Sequence, residues 1–311
     1  MFLRNAITII LASGWLVAGE IAVLGRLADP AELRAPGAGP SGELKVFLFA
    51  GQSNMAGADA LIAGTGARDL AAAGEQTEAD RRTLFTYGSG FAEVEGSYYP
   101  WGDIRGHLGT SYGKGGFYIH GPEVGFARTL YAAGIRNIAI IKVANNFKDY
   151  EDGVSPWVKP HSFYTGWQAF VTRRLGELRV KGHRPAVAGL GWFQGIDDGI
   201  HHRDQPSYQA DLRQMIADLR SDRGSSQTPF VLARSIDSVI AGHDNMLPIR
   251  AGQVAVAEAD PMADWVDVDD LGPYVRKHHM TAASQLKVGE RLGRAYLNLI
   301  DPKRRNGAKL H

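Results

Sequence analysis

The chain is 311 residues long, 44% hydrophobic and 22% charged, which is enough apolar material for one large domain. Its net charge of +1 comes from dispersed basic residues, which argues against a nucleic-acid surface or a polybasic membrane patch. Cysteine is absent, so a thiol nucleophile, a disulfide framework and a cysteine metal site are all excluded.

At the N-terminus Arg4 precedes an apolar run from Ala6 to Ala18, short for a membrane span and suited to the hydrophobic region of a signal peptide. Val17-Ala18-Gly19 offers small residues for cleavage, and apolar character resumes at Ile21-Ala22-Val23-Leu24 beyond Glu20. Residues 1–27 therefore read as a signal peptide or an N-terminal membrane anchor, and export to a periplasmic or extracellular space is the expectation. Residues 28–43, rich in Pro, Gly, Ala and Ser, read as a flexible linker to a single domain over 44–311.

The domain begins with a short apolar run, Val46-Phe47-Leu48-Phe49-Ala50, that stops at Gly51-Gln52-Ser53-Asn54-Met55-Ala56-Gly57. A β-branched and aromatic run closed by glycine fits a strand buried on both faces that delivers Ser53 to a turn. Residues 58–120 read as a long irregular region with interleaved aromatics, Tyr98, Tyr99, Trp101, Tyr112, Phe117 and Tyr118, suited to stacking on sugar faces or to a satellite core. Asp103 and His107 in that region, and His201-His202 further on, are too sparse for a metal site.

Gly121-Pro122-Glu123 opens a helix that Gly134 ends, and Ile138 to Val143 follows as a second buried strand. The alternation continues with a helix from Trp167 to Leu178, a strand from Ala186 to Phe193, and a helix carrying Tyr208, Leu212, Met215, Ile216 and Leu219. A strand from Pro229 to Ala233, a helical Gln253 to Ala259, a strand near Trp265 to Val268 and a helix from Thr281 to Leu299 complete it. Such alternation predicts an α/β fold with a mostly parallel five-stranded sheet between helical layers. In that architecture ligands sit at the carboxyl ends of the strands, which here carry Ser53, Asn145, Gln194, Asp197 and Asp198, with Asp269-Asp270 and His278-His279 before the last helix.

The blocks GQSNMAG, GPEVGFAR, WFQG and HHMTAASQLKVGERLG, in this order between Leu44 and Leu299, resemble the carbohydrate-esterase branch of the SGNH hydrolases, which includes sialate O-acetylesterase-like and acetylxylan esterase-like proteins. The resemblance implies a flavodoxin-like α/β/α fold and hydrolysis of acetyl esters on an oligo- or polysaccharide, with no metal and no cofactor. It implies Ser53 as nucleophile and first oxyanion donor through its own N–H, Gln194 as a side-chain oxyanion donor, and His279 as general base with His278 as the alternative. A serine hydroxyl needs such a base, because it is a weak nucleophile at neutral pH. The chain departs from the family pattern at three places. Ile196 stands where glutamate is common, Arg276 stands three residues before His279 where an acid is common, and Ala144-Asn145-Asn146 replaces a glycine pair. Asp198 is then the expected acid, with Asp197, Asp269 and Asp270 as alternatives and a two-residue Ser-His arrangement also open, and Asn145 or its neighbour is the substitute oxyanion donor, through its main chain or its amide. A non-catalytic carbohydrate-binding relative and a sugar O-acetyltransferase are the competing functions.

Overall fold

The computed structural model describes residues 42–58, 74–89, 98–104, 111–112, 117–118, 121–145, 154–237, 245–275, 278–301 and 303. Residues 1–41, which cover the segment read from sequence as signal or anchor and most of that read as linker, lie outside these residues; the end of the linker is corrected, because Glu43 already forms the first residue of the first strand.

Strand β1 (Glu43–Gly51) is buried along almost its whole length, and β6 (Ile138–Ala144) is buried throughout. Continuous apolar runs of this kind belong to parallel strands covered on both faces. They sit at the middle of a seven-stranded sheet formed by β1, β2 (Leu84–Ser89), β3 (Tyr98–Asp103), β6, β7 (Arg184–Phe193), β8 (Phe230–Ala233) and β9 (Ala263–Val266). Its order is β3-β2-β6-β1-β7-β8-β9, parallel except for the β2–β3 pair. Two short hairpins, β4 (Ser111–Tyr112) with β5 (Phe117–Tyr118) and β10 (Tyr274–Val275) with β11 (His279–Met280), stand apart from it.

The fold class agrees with the expectation, but the sheet has seven strands rather than five. Both additions come from the region read as irregular. β2 is only six residues long and ends in Gly-Ser, and β3 contains Pro100, which an edge strand tolerates because its outer N–H positions need no partner.

Helices cover both faces. On one side α4 (Ser162–Val180) and α6 (Gln205–Arg223) pack an aromatic core in which Trp157 stands edge-on to Trp167 and Trp192, with centroids 4.9 and 5.2 Å away. α7 (Met246–Ala259) packs beside α6. On the other side α3 (Glu123–Ala132) and α8 (Ala282–Ile300) cover Phe47, which meets Phe126 and Tyr296 edge-on, each at 5.0 Å. α3 and α8 touch backbone to backbone, since a Cβ on Gly289 would lie 1.9 Å from the Pro122 carbonyl oxygen and one on Gly125 2.0 Å from that of Leu286. This seating holds α8, and the residues just before it, against the sheet.

Candidate active site

The register across the three central strands sets the rim of the site. Gly51 is level with Ala144 of β6 and with Phe193 of β7, so the residues that follow each strand emerge side by side. The Gln52 N–H donates to the Phe193 carbonyl (3.1 Å) and the Asn145 N–H to the Gly51 carbonyl (3.0 Å). A Cβ at Gly51, whose φ is 153°, would lie 2.2 Å from the Phe193 oxygen, so only glycine fits where the chain turns. The turn opens α1 (Ser53–Ala56), a single helical turn with Ser53 as its first residue and Gly57 in the left-handed conformation as its stop. The Gln52 side chain reaches across to β7, its Oε1 accepting from the N–H groups of Gly195 (2.9 Å) and Ile196 (3.1 Å).

The histidine segment is fastened to this turn by Asn54. Its Nδ2 donates to the His278 carbonyl (2.9 Å) and its Oδ1 accepts from the Met280 N–H (3.1 Å), so one carboxamide grips the backbone on both sides of His279. From α8, Gln285 Nε2 donates to the Asn54 carbonyl at 2.9 Å. His279 is buried, pairs with Val275 in the β10–β11 ribbon, and has the His278 ring edge-on at 4.7 Å. Thr281 caps α8, accepting from the Ser284 N–H, so the helix start immediately follows the ribbon. Ser53 and His279 are thus brought to one rim by backbone fastenings.

Below the turn lies a fully buried ion pair. Lys142 Nζ of β6 donates to Glu123 Oε2 (2.8 Å) and to the Ala56 carbonyl (3.1 Å), and Glu123 Oε1 accepts from the Gly121 N–H (3.2 Å). The ammonium also lies over the Phe85 and Tyr87 rings, 5.4 and 5.1 Å from their centroids. Burial pushes the Lys142 pKa down, and the Glu123 carboxylate opposes that shift.

The third block forms a buried polar network. The Gln194 carboxamide donates through Nε2 to Asp198 Oδ2 and accepts at Oε1 from the Tyr208 hydroxyl (3.3 Å), while the Gln194 backbone oxygen accepts from Ser235 Oγ (3.0 Å) and Gln253 Nε2 (2.7 Å). Asp198, in α5 (Ile196–Ile200), also accepts from the Val154 N–H at 3.1 Å and lies 3.6 Å from Arg203. Burial pushes its carboxyl up to about 6, against the lowering effect of Gln194, the Val154 N–H and Arg203.

The four candidate acids therefore go to different places. Asp198 is joined to Gln194, Val154 and Arg203, and neither histidine is among these partners. Asp269 is held by Arg250 and Arg234 and accepts from the Asp237 N–H. Asp270 faces outward in a two-bond pair with Arg291, both bonds at 2.6 Å. Asp197 is half-buried in the first turn of α5. Arg276 lies outside the described residues, as does Asn146.

Asn145 requires a correction as a main-chain oxyanion donor, because its N–H is already given to the Gly51 carbonyl. Its side chain is half-buried. Of the interleaved aromatics, Trp101 is buried and donates from Nε1 to the Arg174 carbonyl (3.3 Å), which makes it core rather than a sugar platform. The side chains of Tyr98, Tyr99, Tyr112, Phe117 and Tyr118, and all of His107, lie outside the described residues. Sequence reasoning missed Gln52, Asn54, Gln253 and Gln285. A buried amide between apolar helix positions, as at Gln253 and Gln285, is the signal that could have found two of them.

A mostly parallel sheet covered on both faces, with a serine turn after its central strand and a histidine ahead of its last helix, is an α/β fold with its candidate site at the strand ends. Similar folds occur in a protein of Arabidopsis thaliana (20% identity, TM-score 0.60, covering 83% of this chain and 99% of that one) and in NanS (13%, 0.57, 85% and 98%). A carbohydrate acetylesterase from Xanthomonas citri is also similar (18%, 0.56), and the match spans 82% of this chain and 56% of that longer one. No curated protein sequence matches the chain. Residues 43–298 match the family described as carbohydrate esterase, sialic acid-specific acetylesterase; the chain belongs to that family and is a carboxylic ester hydrolase.

Proposed function

We propose that the protein removes O-acetyl groups from a carbohydrate through an acyl-enzyme on Ser53, with His279 as general base. The observation that carries this reading is the grip of Asn54, which joins the residue after Ser53 to the backbone on either side of His279. In the first half-reaction Ser53 Oγ attacks the acetyl carbonyl as His279 takes its proton. The tetrahedral oxyanion is met by the Ser53 N–H and an N–H of Gln194, and collapse releases the sugar oxygen, which takes the proton back from His279. Water then repeats the sequence on the acyl-enzyme and frees acetate. The family membership and the carbohydrate acetylesterase of similar fold from Xanthomonas citri support an acetylated oligo- or polysaccharide as substrate.

Acetate release from acetylated sialic acid, acetylated xylan and an aryl acetate tests the reading, with Ser53→Ala as control. Release that is abolished by Ser53→Ala is the expected result. Activity that survives the substitution overturns the nucleophile, saturable glycan binding without acetate favours a binding relative, and acetylated acceptor in place of acetate favours acetyl transfer. We further propose export through residues 1–27, on the apolar run after Arg4; fractionation of expressing cells with activity only in the cytoplasm would overturn it.

A further inference from the structure

The hydrogen bonds around Gln194 form a chain whose direction is set at both ends. At one end the Ser235 main-chain N–H, which can only donate, gives its proton to Gln253 Oε1 at 2.8 Å. That bond turns the other edge of the Gln253 amide, Nε2, toward the Tyr208 hydroxyl oxygen at 3.0 Å. Burial holds the Tyr208 phenol neutral, its pKa raised, so having accepted from Gln253 it has one proton to give, and this goes to Gln194 Oε1 at 3.3 Å. At the other end the Val154 N–H donates to Asp198 Oδ1, leaving Asp198 Oδ2 to accept from Gln194 Nε2. The Gln194 backbone is pinned separately through its carbonyl by Ser235 and Gln253, and Gly195 beyond it has φ 140° and space for no Cβ, the nearest atom being Ser235 Oγ at 2.1 Å.

A glutamine amide placed at an oxyanion site works in only one of its two orientations, since the flipped one presents a carbonyl oxygen to developing negative charge. We propose that Asp198 is a positioning residue for Gln194 and not the acid behind the histidine: with Tyr208 it fixes the carboxamide so that its remaining N–H, never its oxygen, is offered to the acyl group. This rests on the reading of Gln194 as an oxyanion donor. Asn in place of Asp198 can keep the bond from Val154 through its own oxygen, but its NH2 then opposes the Gln194 NH2, and the pair relaxes only by turning Gln194 against Tyr208.

The test is a double-mutant cycle on an aryl acetate with Asp198→Asn, Gln194→Ala and the two combined, each checked for folding by its thermal transition. We expect Asp198→Asn to lower kcat about tenfold or more with KM little changed, in line with the loss of an oxyanion donor. We also expect the combined variant to be no slower than Gln194→Ala alone. Losses that multiply in the combined variant would overturn the proposal, because Asp198 would then act on some other group. Should Asp198→Asn fail to fold, Tyr208→Phe, which removes only the hydroxyl, enters the same cycle with the same two outcomes. If Gln194→Ala leaves kcat untouched while Ser53→Ala abolishes turnover, the positioning proposal falls and the serine-esterase reading stands. Activity that persists in Ser53→Ala overturns that reading instead.

Discussion

Asn54 holds His279 through the backbone: the carboxamide takes the carbonyl before it and the N–H after it, as a sheet neighbour would. A short helix and a two-residue strand are locked together by a side chain doing the work of a backbone. Asn54→Ala strands a part-buried carbonyl and a buried N–H, which is expected to cost about 1–3 kcal/mol of stability. The larger effect is expected in turnover, since a displacement of the proposed base, His279, by about 1 Å can cost on the order of 100-fold in rate. Acetate release beside urea unfolding measures both.

The pair Lys142 and Glu123 is buried on both sides, so its halves are not equivalent to its whole. Lys142→Met leaves the Glu123 carboxylate alone in the core, and the expected loss is about 3–5 kcal/mol in denaturant unfolding. Combining Lys142→Met with Glu123→Gln removes both charges and should recover much of that loss. Because Lys142 also binds the Ala56 carbonyl at the end of the serine turn, the double variant is expected to regain stability ahead of activity.

Asp198 makes stability depend on pH in a direction opposite to that of most carboxylates. Its carboxyl is raised from the ordinary 3.8 to about 6 by burial, so between these values the folded protein holds a proton that the unfolded chain has released. Stability from this group is therefore full below the unfolded value and is lost as pH rises toward 6, by up to about 3 kcal/mol in total. Asp198→Asn lacks the dependence. Unfolding at a series of pH values from 4 to 7 should show the wild type losing ground to Asp198→Asn as pH rises, and parallel curves would contradict the assignment.

The α3–α8 contact yields a prediction graded by position. Gly289→Ala forces a Cβ to within 1.9 Å of the Pro122 carbonyl, a backbone atom that cannot step aside, whereas at Gly293 the nearest atom is the Thr129 Cβ at 2.8 Å. Gly289→Ala is expected to cost about 1–3 kcal/mol by overpacking, and Gly293→Ala less. Acetate release should also fall further in Gly289→Ala, because His279 lies just ahead of the displaced helix.

The strands that position the site were legible because each is an apolar run closed by a distinctive residue, Gly51 after β1 and Gln194-Gly195 after β7. Ser53 and His279 could be singled out at a strand end and ahead of a helix. β2 and β3 were not legible, since Gly88, Pro100 and Gly102 make their sequences look like loop, and only pairing supplies the missing bonds, with β6 for β2 and with β2 for β3. The partner of Asp198 was illegible for a different reason. Residue type shows that a carboxylate is available, but its direction is decided by the N–H of Val154, forty-four residues earlier, and by the Gln194 amide. Asn54 stood in plain sight beside Ser53, yet its partners lie 224 and 226 residues away.

That last separation sets when the proposed activity is expected to arise. During synthesis β1 and the Ser53 turn emerge well before the segment that carries His279, and contacts so remote in sequence close late. A nascent or truncated chain that holds the serine but stops short of β11 has no His279. With His279 as the proposed base, acetate release is expected only once that contact has closed, and so to report folding rather than the mere presence of chain.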